Sequence, residues 1–276
     1  MTLPNLIGIG AQRAATTWMY HCLREHPEVF TTEKKELHFF DENFDKGLSW
    51  YQQHFASATE EVIAEITPNY LNVEAALQRM SDTIPDARIF VVLREPISRA
   101  YSSYRLLYNE HFQGRTFEEA CAASPYMIRL SKYADDLQRA FSLYDRDKIA
   151  IFLYDDVRSD PARVVKDLYS FAGVDASFEP SSINTVYNAI LYPDLQEFLQ
   201  RIRLGGALNR FKESQLGKAL KTRLSARKVR YSAKAEPESE QHRIASDAFI
   251  AELREEFRDD ILKVQELIGR DLSAWL

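Results

Sequence analysis

Two hydrophobic patterns alternate along the chain. Short, mostly apolar runs fall at 5–9, 62–66, 88–93 and 149–154. The runs RIFVVL and IAIFLY are rich in β-branched and aromatic residues, as in strands buried on both faces. Between the runs lie segments with helical spacing and helical punctuation. Residues 16–25 are stopped at His26-Pro27, because a residue before proline is driven out of the helical region. Pro96 opens a helix to about residue 108, in a first turn where its missing N–H does no harm. Further helices are predicted over 133–144 and 161–171, the second framed by Ser159-Asp160-Pro161 as its cap and Gly173 as its stop. Near the end Phe249, Leu253, Phe257, Ile261, Val264 and Ile268 mark one face of a long amphipathic helix.

Alternation of strand and helix predicts an α/β fold, a mostly parallel central sheet flanked by helices. Ligands of such sheets sit at the carboxyl ends of the strands. The loops after Ile9, Ile66, Leu93 and Tyr154 are therefore the places to look. With 276 residues, 45% hydrophobic and 28% charged, disordered and collagen-like classes are excluded. Cys22 and Cys121 cannot build a disulfide framework, which suits a reducing compartment. The N-terminal apolar run has no basic leader before it, and no run approaches the ~20 residues of a spanning helix. The expectation is a cytoplasmic protein without signal peptide or membrane span.

The net charge of −6 argues against a nucleic-acid partner. It also conceals a basic strip. Residues 201–230 hold ten Lys or Arg and one acid, Glu213, a local +9 that leaves −15 elsewhere. The plainer reading is a solvated helix or loop. The sharper one makes 201–240 a basic lid or insertion, closing over a ligand's phosphates or bedding an anionic acceptor.

The loop after the first strand reads Gly10-Ala11-Gln12-Arg13-Ala14-Ala15-Thr16-Thr17. A tight loop between a strand and a helix N-terminus is an anion cradle, because free amides and the helix dipole face the ligand. The Walker A loop differs here, since Ala15 replaces its second glycine and Thr16 its lysine. That loss ranks a P-loop nucleotide kinase or hydrolase low. A plain corner with a capping threonine is the structural alternative. The loop resembles the 5′-phosphosulfate loop, K-x-G-T-T, of the sulfotransferases that use 3′-phosphoadenosine 5′-phosphosulfate. The likeness places Arg13 on the lysine, matches Thr16, Thr17 and the following Trp18, and implies donor contacts over Arg13, Ala14, Ala15, Thr16, Thr17 and Trp18. Alanine at 15 is expected to need no positive φ.

After RIFVVL comes Arg94, with Ser102 eight residues on. Arg94 ends a strand and Ser102 lies about two turns into the next helix, so a guanidinium and a hydroxyl can converge on one dianion. This is similar to the 3′-phosphate motif of the same family. A third segment, Lys35-Glu36-Leu37-His38-Phe39-Phe40, resembles the heparan-sulfate-type branch, where the glutamate takes the acceptor's proton. The resemblance implies Glu36 as base, His38 beside it, and Arg13 or Lys35 as the cation at the leaving oxygen. Phe39 and Phe40 read as packing. Glu65-Ile66-Thr67-Pro68-Asn69-Tyr70 is similar to the branch's E-K-[ST]-P-x-Y, with Ile66 in the lysine's place. The chain is thus expected to be one P-loop-like sulfotransferase domain over 1–276, acting on a hydroxyl or amine of an acceptor that leans to carbohydrate, an anionic glycan included. No H-x-x-H, C-x-x-C or aspartate cluster is present, and no metal is required. A non-catalytic anion-binding protein is the remaining alternative.

Overall fold

In a computed structural model, residues 2–185 and 245–276 are described. Five strands carry the fold: β1 (Leu6–Gly10), β2 (Val29–Thr31), β3 (Val62–Ile66), β4 (Arg88–Leu93) and β5 (Ile149–Leu153). They form one sheet in the order β2-β3-β1-β4-β5. Every pairing is parallel. β1 lies at the centre, and Leu6, Ile7 and Ile9 are no more than 1% exposed. Apolar residues on both faces suit a strand covered from both sides. Gly10 allows a close approach, since a Cβ there would meet Leu71 at 2.7 Å.

Ten helices surround the sheet among the described residues. They are α1 (Thr16–Glu25), α2 (Leu48–Gln53), α3 (Glu74–Thr83), α4 (Pro96–Leu107), α5 (Phe117–Ala123), α6 (Tyr126–Arg129), α7 (Ala134–Leu143), α8 (Tyr154–Ser159), α9 (Pro161–Ala172) and α10 (Asp247–Ile268). α1 packs on β2, β3 and α9, while α10 packs on α7 and α4. The α10 residues Leu253, Phe257, Ile261 and Val264 are buried, as their spacing predicts. No helix here is long and apolar enough to cross a membrane. Cys22 and Cys121 are buried and free.

Helix ends shift by a residue, and two strands shift at their carboxyl ends. β1 includes Gly10 because that residue pairs with Val91 of β4. β5 ends at Leu153, and Tyr154 opens α8, whose first turn carries Asp155 and Asp156. The expected cap and stop of α9 are present. Asp160 Oδ1 accepts from the Arg163 amide at 3.1 Å, and Gly173 has φ 80°. The chain divides into two units, Met1–Ile183 with Ala233–Leu276, and Asn184–Ser232. The basic strip 201–230 lies outside the described residues.

One side chain breaks the apolar pattern. Glu65, near the end of β3, is 1% exposed and has no ion-pair partner among the described residues. Burial pushes its carboxyl up to about 7, although the Thr67 hydroxyl and the Leu37 amide favour the ionised form. A carboxyl raised above its free value contributes stability below that value and loses it as pH climbs through the folded one. Against the free glutamate's 4.5, ionising Glu65 in the fold costs about 3 kcal/mol. Glu65→Gln should therefore match wild type in urea unfolding at pH 5 and exceed it by about 1–3 kcal/mol at pH 8. Equal stabilities at both pH values would show that the group does not carry this cost.

Candidate active site

The loop after β1 turns through two left-handed residues, Arg13 (φ 68°) and Ala15 (φ 69°). The expected non-positive φ at Ala15 is therefore overturned. This conformation costs a non-glycine residue about 1–2 kcal/mol. The packed surroundings hold it, since Ala14 and Thr16 are buried and the Ala15 carbonyl accepts from the Met19 amide at 3.1 Å. Ala15 is also the N-cap of α1, so the reading of a capping threonine fails. No side chain caps α1 and no acid stands in its first turn. A helix N-terminus without a side-chain cap or a nearby acid favours an anion through its dipole. Thr17 is half-buried beside them. Trp18 is 3% exposed and donates Nε1 to the Ile183 carbonyl at 3.2 Å, which anchors the base of the loop.

α4 begins differently. Glu95 accepts from the Ile97 and Ser98 amides at 2.8 and 2.6 Å, so this helix caps itself with a carboxylate. Arg94, just before it, reaches back to the first loop and donates Nη1 to the Arg13 carbonyl at 3.2 Å. Its guanidinium lies over the Tyr154 ring at 4.4 Å, and the Tyr133 hydroxyl donates to its carbonyl at 2.8 Å. Its Nε is buried without a hydrogen-bond partner. Arg13 donates Nε to Ser102 Oγ at 3.1 Å. The two sequence motifs, some eighty residues apart, thus meet through direct hydrogen bonds. Behind them lies Arg99, fully buried, with neutral partners: Ser131 Oγ at 2.6 Å, Ser103 Oγ at 3.3 Å and the Met127 carbonyl at 2.5 Å. Burial lowers its pKa first, and repulsion from Arg94 and Arg13 adds to it. Sequence reasoning missed Arg99, because i+5 from Arg94 carries no motif.

The third segment joins the same edge of the sheet. The Thr67 amide donates to the Gly8 carbonyl at 3.0 Å, and Gln12 donates to Asn69 Oδ1 at 2.7 Å. The ends of β1 and β3 are thereby tied. Glu36 and His38 are again left-handed, at φ 65° and 53°. Glu36 is ion-paired with Lys35, and its Oε2 lies 3.9 Å from His38 Nε2. His38 Nδ1 lies 2.9 Å from Asp41 Oδ2. A carboxylate, an imidazole and a second, 4% exposed carboxylate thus stand in series. Asp41 was not among the sequence candidates, although its i+3 spacing from His38 would have found it. Phe39 and Phe40 are core residues, with Phe39 stacked on Tyr51 at 4.2 Å. Ile66 is 2% exposed, so no cation enters from that position. One group of metal-ligand type exists among the described residues, His38, Asp41 and Glu42, with ligand atoms within 4.8 Å of one another. It follows an H-x-x-D-E spacing that the sequence search did not include.

The chain is similar to known proteins. The family described as "Sulfotransferase domain" matches residues 3–224. The chain is 29% identical over 182 residues to heparan sulfate glucosamine 3-O-sulfotransferase 3B1 of Homo sapiens, covering 62% of this chain and 46% of that protein. It is 27% identical over 213 residues to bifunctional heparan sulfate N-deacetylase/N-sulfotransferase 4 of Mus musculus, covering 66% and 24%. The chain therefore spans less than half the length of these relatives. A solved sulfotransferase from Alicyclobacillus acidocaldarius superposes with a TM-score of 0.69 at 24% identity, over 100% of this chain and 99% of that one, and shows the same fold. With the family match running through both phosphate-type loops and the Glu36 segment, the chain belongs to the sulfotransferase domain family.

Proposed function

We propose that this chain transfers a sulfuryl group from 3′-phosphoadenosine 5′-phosphosulfate to a hydroxyl or amine of a carbohydrate acceptor. The observation that carries the reading is the meeting of Arg13, Arg94 and Ser102 beside an uncapped α1. Two guanidiniums, a hydroxyl and the N-terminal end of α1 form a cradle for a polyanion. The unpartnered Nε of Arg94 fits this reading, because a buried guanidinium N–H is costly until an acceptor reaches it. Arg94 and Ser102 take the 3′-phosphate. Arg13, with the amides of Ala14, Ala15, Thr16 and Thr17 and the threonine hydroxyls, takes the 5′-phosphosulfate, and Trp18 backs the loop by packing.

The chemistry is an in-line displacement. The acceptor oxygen or nitrogen forms a bond to sulfur as the bond from sulfur to the phosphate oxygen breaks. The electron pair leaves on the bisphosphate, where Arg13 meets the growing charge. The acceptor's proton passes to Glu36. His38, held by Asp41, stands beside that carboxylate. Lys35, paired with Glu36, supplies the nearby cation that Ile66 does not. The cations of the chain supply the charge stabilisation, so no metal enters the scheme. A carbohydrate acceptor is supported by likeness of the Glu36 segment and by relatives named for heparan sulfate. Buried, unpaired cysteines fit a reducing setting, and the cytosol is the proposed one.

Calorimetry with adenosine 3′,5′-bisphosphate and with ATP tests the donor site. The bisphosphate should bind at least ~10-fold more tightly than ATP, and Arg94→Ala should weaken it by at least ~30-fold. Absence of bisphosphate binding at moderate salt would overturn the reading. Glu36→Gln should keep that binding and lose at least ~10²-fold in transfer to a heparan sulfate oligosaccharide. Near-normal transfer removes Glu36 from the base role. Transfer to a phenol or a tyrosine peptide in place of the oligosaccharide would reassign the acceptor.

A further inference from the structure

The turn that carries Glu36 and His38 is held along its length by one partner segment. The Glu36 amide donates to the Ile66 carbonyl at 3.2 Å, and the Leu37 amide faces the Glu65 carboxylate, where it favours the ionised form. The His38 amide faces Thr67 Oγ1 at 3.4 Å. The Phe39 and Phe40 amides reach the Tyr70 hydroxyl at 2.9 and 3.5 Å. Four of five consecutive amides thus bond to residues 65–70, and the fifth, that of Leu37, faces Glu65. Thr67 has a single hydroxyl proton, and it goes to Glu65 Oε1 at 2.5 Å. That donation leaves the lone pairs of Thr67 to accept from His38. Glu65 therefore orders the His38 contact through Thr67 and attracts the Leu37 amide that faces it. A left-handed pair of non-glycine residues persists only where its surroundings over-determine it.

Glu65 is an odd choice for packing alone. It is buried to 1% exposure, its Oε2 has no hydrogen-bond partner, and the Tyr51 hydroxyl beside it has none either. A glutamine would fill the same space, and its amide could donate to the Tyr51 oxygen. Retaining a carboxylate in such a place is a local rule broken without a gain in stability, which is where function is expected to be the compensation.

We propose that Glu65 is a positioning residue: its carboxylate clamps the Glu36–Leu37–His38 turn through the Thr67 hydroxyl, and so sets the geometry of the base without touching donor or acceptor. This rests on the reading of Glu36 as base. The clamp acts at the end of β3, while the bisphosphate cradle hangs on β1 and β4, so the two are separable.

The test compares Glu65→Gln with wild type at pH 8 in three measurements. Transfer to a heparan sulfate oligosaccharide should fall ~10- to 100-fold in kcat. The calorimetric affinity for adenosine 3′,5′-bisphosphate should stay within about twofold, since no contact to the cradle changes. Amide hydrogen exchange in a peptide spanning 33–40 should speed up ~10-fold, while the urea midpoint does not fall. A purely structural Glu65 would move local protection and global stability in the same direction, so their opposition is the signature. Should Glu65→Gln fail to fold, Thr67→Val should lose kcat and loop protection in the same way, and Thr67→Ser, which keeps the hydroxyl, should restore both. Unchanged kcat and unchanged exchange in the folded variants would overturn the clamp and leave the donor site standing. A fall in bisphosphate affinity that matches the fall in kcat would also overturn it, because Glu65 would then support the whole site. Failure of wild type to bind the bisphosphate would sink the functional reading instead, and the exchange measurement would still decide the clamp.

Discussion

The parallel pairing of β1 with both β3 and β4 is the constraint on which the site depends. Parallel strands all end at one edge, so their carboxyl-end loops must share it. β1 is too buried to slip, because a shift by one residue would exchange its two covered faces. Fixing β1 therefore fixes the Arg13 loop, and the neighbours bring Arg94 from one side and Glu65–Tyr70 from the other. The Glu36 turn arrives last. It bonds to the β3 end rather than to β1, so the base and the anion cradle are joined through the sheet and held by separate contacts.

Cations dominate one half of this edge. Arg13, Arg94 and Arg99 lie close enough to repel, and Arg99 is buried among neutral acceptors. Glu95 stands next to Arg94, yet its carboxylate is spent on the Ile97 and Ser98 amides. Buried positive charge without a carboxylate is costly. Hydroxyls, carbonyls and the Tyr154 ring offset part of that cost, and an anion with several charges offsets more. The chain as a whole is acidic, while this edge of the sheet gathers cations. Average charge reports on the surface as a whole, and a cradle for one polyanion needs only a few guanidiniums and amides.

The strands and the two phosphate-type loops were legible because they write themselves in apolar runs, proline and hydroxyl spacing. Four of the five strands and the helices at Thr16, Pro96, Pro161 and the C-terminal face emerge from such signals with small boundary shifts. The short helices α2, α3, α5 and α6 were not legible. Each is brief or charged enough that packing, rather than periodicity, decides it. Glu36 and His38 were found by their neighbours in the chain. Glu65 and Arg99 were not, since a buried charge is recognisable only once the partners around it are known. Ala15 was misjudged for a related reason: a residue type reports its preferred backbone, and tertiary packing can hold it elsewhere.

That last point reaches beyond one alanine. Among the described residues, four non-glycine residues have positive φ: Arg13, Ala15, Glu36 and His38. All four lie in the two turns proposed to hold the donor and the base. Each costs about 1–3 kcal/mol, so chance placement in both turns is a poor account. A left-handed residue reverses the chain within one step while keeping a side chain, which glycine cannot do. In the first turn this aims consecutive amides at one point and still leaves the Arg13 guanidinium there. In the second it turns the chain at Glu36 and again at His38 while both side chains stay within 3.9 Å of each other. The strain is thus the geometric means by which short loops on a rigid sheet edge present both a backbone cradle and charged side chains. It also explains why the buried segment behind the second turn spends a carboxylate on holding it.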